Sequence, residues 1–156
     1  MKQRYFAVGE QLLLTLWVGG MWFSGYVAAP VLFEMLDRST AGLVAGQLFM
    51  VMSYIGIFSA LFLLLGQKVR PADGPSRGYR SWILLIMLVI IIIGQFVITP
   101  MMQEIKQAGY QAGSVEAASF AKLHGFSSIL FLINSILGLI LVVVGLRPSA
   151  DQNQGN

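Results

Sequence analysis

The chain holds one histidine, His124, and the side chains that could join it around a metal are Met35, Met50, Met101 and Met102 with the carboxylates Glu34 and Glu104. Thioethers and imidazole suit Cu(I) and similar soft cations. Glu34 and Glu104 each follow a proline by four residues, Pro30 and Pro100. If they approach each other they can bind a cation or relay a proton. The candidate metal set is therefore His124, Glu34, Glu104 and Met101. The plainer alternative is an interfacial histidine, solvated helix-end acids and methionines that fill gaps. Glu10 is the other ionisable group set inside an apolar stretch, where such residues are functional candidates by default; snorkelling or pairing with Arg4 is the structural alternative. The chain has no cysteine, which excludes disulfides, thiolate metal sites and cysteine nucleophiles. No Ser/His/Asp arrangement, phosphate-binding glycine loop or paired-carboxylate motif is present. No enzymatic activity and no cofactor are expected.

The elements that must carry these groups are four uncharged runs, 11–33, 39–67, 81–103 and 123–146. A helix of about 23 residues reaches roughly 35 Å, against a hydrocarbon core of about 30 Å. Of the 156 residues, 56% are hydrophobic and 11% charged, and the mean hydropathy is +0.75. Soluble domains carry about 25% charged residues. The expected fold is an all-α membrane protein, a four-transmembrane-helix bundle, in one domain over residues 1–148 with a disordered polar tail at 149–156. The first run is too long and too aromatic (Trp17, Trp22, Phe23, Tyr26) for a cleaved signal.

Charge sets the expected orientation. Lys2, Arg4, Lys68, Arg70, Arg77, Arg80 and Arg147 fall on one side of a four-span layout, and Arg38, Lys106 and Lys122 on the other. The positive-inside rule then puts both termini and the loop 68–80 in the cytoplasm. Because the basic residues flank spans, a net charge of +3 does not indicate nucleic acid. The expected partners are the lipid bilayer and a membrane protein or second copy.

Within the runs, Gly20, Ser24 and Ala28 recur at four-residue spacing, and Gly42 and Gly46 form a second pair. Small faces let backbones approach closely where lipid removes the hydrophobic drive between helices. Ser39 or Thr40 is expected to cap the second helix, and Ser114 with Glu116 to start the fourth. Pro30 and Pro100 should bend their helices near the outer end. Gln95, Thr99, Ser128 and Asn134 are candidates for interhelical hydrogen bonds. The pattern Pro30 to Glu34 is repeated at Pro100 to Glu104, which suggests two hairpins of the same orientation about an axis along the membrane normal.

The stretch Gly25-Tyr-Val-Ala-Ala-Pro-Val-Leu-Phe-Glu-Met-Leu-Asp-Arg-Ser-Thr-Ala-Gly-Leu-Val-Ala-Gly-Gln-Leu-Phe49 resembles the transmembrane-protein-205-like family, a bacterial membrane domain of unknown function. Leu123-His124-Gly125 followed by Ser127 fits the same pattern. The resemblance implies a four-helix protein of the bacterial inner membrane with no established catalysis. A eukaryotic relative is associated with tolerance of platinum drugs, which implies handling of metals or xenobiotics. A looser similarity, through Trp17-Val-Gly-Gly20 and Pro30-Val-Leu-Phe33, runs to four-helix copper-uptake and haem-biosynthesis membrane proteins. One histidine cannot supply a bis-histidine haem within one subunit. The expected role is a non-enzymatic accessory or packing module of an envelope or transport complex. The alternative is a carrier or binding protein for a metal ion or small amphiphile, with its site near the outer face.

Overall fold

The computed structural model describes residues 2–69 and 76–145, with side chains described over 8–67 and 78–143. Helix α1 (Lys2–Phe23) runs through a π-helical turn (Ser24–Ala28) into α2 (Ala29–Met35). Helix α3 (Arg38–Val69) returns. The second half repeats the plan: α4 (Ser76–Ile93), a π-helical turn (Gly94–Ile98), α5 (Thr99–Ala108) and the returning α6 (Val115–Gly145). The described residues contain no strand. Four segments, Val8–Met35, Arg38–Gln67, Gly78–Ala108 and Val115–Val143, are long and apolar enough to cross a membrane. Residues 70–75 of the loop 68–80, and the tail 149–156, lie outside the described residues.

The two π turns sit at equivalent places, 70 residues apart at Ser24 and Gly94. Each precedes a proline, Pro30 or Pro100, in the first turn of the following helix. Proline donates no N–H and its ring clashes with the carbonyl of the preceding turn. The chain answers by widening one turn. Ala29 N–H bonds Ser24 O, and Thr99 N–H bonds Gly94 O, each five residues back. Thr99 Oγ1 also donates to Gly94 O at 2.9 Å. The same offset carries the buried face: Leu14, Trp17, Val18 and Met21 on α1 correspond to Leu84, Met87, Leu88 and Ile91 on α4. The repeat legible at the two prolines thus extends along both helices.

Helices α1 and α4 each pack on both α3 and α6. Their matched faces close one core, completed by Ala60 and Leu63 of α3 and Leu141 of α6. Trp17 is its largest member, 1% exposed. Glycines make room for it: a Cβ on Gly56 would lie 2.6 Å from Trp17 Nε1 and 2.8 Å from Ile91 Cδ1. On Gly138 it would meet Val18 at 3.1 Å and Met21 at 3.3 Å.

The small-residue face of the first span packs inward at Ser24, which is buried, and at Gly20, where a Cβ would meet Met52 Sδ of α3 at 2.9 Å. Ala28 is half-buried. On α3 the inward small residues are Ala41 and Ala45, both buried. Gly42 is half-buried beside Lys106 Nζ and Phe33, while Gly46 is exposed with open space around it. The close approach expected at Gly42 and Gly46 is therefore displaced by one residue around the helix. Asp37, not Ser39 or Thr40, caps α3: its Oδ1 accepts from Ser39 N–H at 3.0 Å and Thr40 N–H at 3.1 Å. Ser114 caps α6, its Oγ accepting from Ala117 N–H at 3.2 Å.

Candidate functional site

A small polar cavity lies at the end of the bundle where α1 starts and α6 finishes. All four spans contribute to it: Glu10 and Leu14 from α1, Leu63 and Gln67 from α3, Arg80 and Leu84 from α4, and Leu141 from α6. They line a cavity of about 30 Å³. Since a water needs about 10–15 Å³ by this measure, the space suits one or two waters and no organic substrate. Glu10 is 9% exposed. Arg80 Nε is buried without a hydrogen-bond partner. Gln67 Oε1 accepts a hydrogen bond from Ser81 Oγ.

Glu10 and Arg80 occupy equivalent positions of the repeat, so the two halves place an acid and a base across one polar space. A carboxylate or guanidinium taken out of water is costly unless its charge is balanced nearby. The arrangement offers that balance, and a bridging water could serve Arg80 Nε. Sequence reasoning missed the constellation because Arg80 counts as a loop anchor and Gln67 as the end of a span. The available signal was the 70-residue offset, which sets Arg80 against Glu10 once it is run towards the N-terminus.

The groups expected at the opposite, loop end are spread over its surface. His124 is exposed and stacks on Phe120, ring centroids 6.2 Å apart and planes 8° apart. Tyr110 stacks on the same Phe120 at 5.6 Å, and Lys106 Nζ lies 5.4 Å from its centroid. Met101 and Glu104 line an open groove with Ile105, Ser119, Lys122 and Leu123. Glu34 and His124 do not line it. Glu34 stands exposed on α2, which packs on α3, whereas Glu104 stands on α5, which packs on α6. Among the described residues no group of three or more His, Cys, Asp or Glu side chains is placed to hold a metal ion. Outside the spans, Asp37 has its carboxyl held below the ordinary range, first by the side-chain hydrogen bond with Thr40 and then by the backbone N–H groups it caps.

Between the two ends, Trp22 and Asn134 make side-chain contacts from helix to helix. Trp22 Nε1 donates to Ser135 O at 3.2 Å, and Asn134 Nδ2 approaches Met21 Sδ at 3.4 Å. Ser59 Oγ and Asn134 Oδ1 are buried without hydrogen-bond partners. Ser128, expected to bridge helices, instead donates to His124 O of its own helix at 2.8 Å.

Residues 12–111 match the family described as Domain of unknown function (DUF4149). A relative described as an uncharacterized protein of Aquifex aeolicus (strain VF5) is 28% identical over 135 residues, covering 85% of this chain and 92% of its own length. No solved structure matches the chain.

Proposed function

From the premise that the chain belongs to the DUF4149 family, a domain of unknown function, we propose a non-enzymatic accessory or packing module of an envelope or transport complex. It resides in the bacterial inner membrane with both termini cytoplasmic. The observation that carries this reading is the filled interior. The four spans close on Trp17 and Met87, both essentially fully buried, and the cavity lined by all four of them is only about 30 Å³. A carrier needs a chamber for its cargo, and an enzyme needs a site for its substrate. The exposed surface instead offers places where another backbone could come close: Gly19, Gly46 and Gly125 are exposed with nothing within 4 Å of a Cβ added there. The seven-to-three split of basic residues supports the orientation. The resemblance to transmembrane-protein-205-like proteins agrees with a four-span module.

The role is tested by a photoreactive amino acid placed at Gly46 or Tyr54 on the exposed side of α3 in living cells. A discrete product with a different membrane protein is expected. Its absence at both positions, with the protein present at normal level, overturns the accessory role. The alternative, a carrier or binding protein for a metal ion or small amphiphile, has the open groove at the loop end as its support.

A further inference from the structure

The groove between α5 and α6 at the loop end has a volume of about 400 Å³. Met101, Glu104 and Ile105 form its wall on α5, and Ser119, Lys122 and Leu123 form its wall on α6. Residues three and four apart share one face of a helix, so each wall is a continuous strip. Met101, Ile105 and Leu123 supply an apolar lining. Glu104 and Lys122 put one negative and one positive charge on opposite walls. Both are exposed, and among the described residues neither makes an ion pair with the other or with any neighbour. Ser119 Oγ already donates to Val115 O at 2.9 Å, which leaves its oxygen free to accept. The groove lies where the third span ends, at Ala108, and the fourth begins, at Val115. In a membrane that is the level of the lipid headgroups.

We propose that this groove binds one zwitterionic phospholipid whose headgroup carries a primary ammonium. Its phosphate sits on Lys122 Nζ, its ammonium on the Glu104 carboxylate and Ser119 Oγ, and an acyl chain lies along Met101, Ile105 and Leu123. The charges decide the class. A metal ion would meet one carboxylate and be repelled by Lys122. A purely anionic headgroup satisfies Lys122 but leaves Glu104 without a cation. A trimethylated ammonium presents no N–H for the carboxylate to accept. The inference stands independently of the accessory role, because it concerns a different surface from the α3 positions used to test that role.

The test is native mass spectrometry of the full chain in neutral detergent, titrated separately with phosphatidylethanolamine, phosphatidylcholine and phosphatidylglycerol. Only phosphatidylethanolamine offers both a phosphate for Lys122 and N–H donors for Glu104, so it should bind roughly tenfold or more tighter than either other lipid. Glu104→Gln should bring it down to the level of phosphatidylcholine. Lys122→Ala should weaken all three. Glu34→Gln, the equivalent acid of the other hairpin, should change nothing. Equal binding of the three lipids overturns the proposal, as does a preference that survives both groove substitutions. Disulfide-linked homodimers of Ser119→Cys without bound lipid would assign the groove to a second copy and overturn it equally.

Discussion

Gly56→Ala puts one methyl group into the tightest part of the bundle. The added carbon would lie 2.6 Å from Trp17 Nε1, 2.8 Å from Ile91 Cδ1 and 3.1 Å from Trp17 Cε2. Ordinary carbon contacts sit at about 3.5–4.0 Å. Trp17 is 1% exposed and Ile91 8% exposed, so neither can swing outward. Overpacking of this kind costs about 1–3 kcal/mol, while replacing glycine by alanine within a helix gains about 1 kcal/mol in backbone propensity. Gly46→Ala, ten residues earlier on the same α3 helix, receives the same propensity gain but adds its methyl to open space. Propensity cancels between the two variants, and the Gly56 variant should be about 1–3 kcal/mol less stable than the Gly46 variant. Reversible unfolding in mixed detergent and sodium dodecyl sulfate, followed by tryptophan fluorescence, measures the difference. A Gly56 variant as stable as the Gly46 variant would refute the packing of Trp17 against α3.

Three further outcomes are expected. Glu10→Leu and Arg80→Leu should each destabilise, by about 0.5–3 kcal/mol, since both side chains line the same polar cavity; the double replacement should cost clearly less than their sum, and strict additivity in the cycle would separate the two residues energetically. Because the Asp37 carboxyl is held below its unfolded value, its cap stabilises α3 above the unfolded pKa and is lost as pH falls through the lowered folded pKa. The acid-side loss of stability should disappear in Asp37→Asn, which can still cap but does not titrate, and an unchanged pH profile would remove Asp37 as its source. Alkaline phosphatase fused after Gly74 should be inactive and fused after Gly109 active; the reverse pattern overturns the orientation.

The spans were legible because charge is absent from them and confined between them, a pattern that bilayer energetics alone imposes. Ser114 was legible as a cap because it stands directly before a charged first turn and an apolar run. The repeat showed only over Pro30 to Glu34 and Pro100 to Glu104, since much of the rest of its match lies in the burial of unlike residues, Trp17 against Met87 and Met21 against Ile91. The π turns follow from where each proline falls relative to the core, which one-dimensional spacing does not give. Gly46 looked equivalent to Gly42, but a rotation of one residue puts Ala45 inside and Gly46 outside. At the candidate site, Glu10 was visible as an acid within an apolar run. Gln67 and Arg80 were not, because both sit at span ends where polar residues ordinarily meet headgroups. Their convergence depends on how four helices meet.

The role proposed for the protein is that of a filled four-span module that works through a protein partner and not through a cargo of its own. Purification from native membranes in mild detergent, with light-scattering mass, elemental analysis and identification of associated proteins, tests it most directly. A stoichiometric complex with another membrane protein and no bound metal is expected. A chain that purifies alone, carrying a metal ion in a fixed ratio that is lost in Glu104→Gln or His124→Ala, would contradict it.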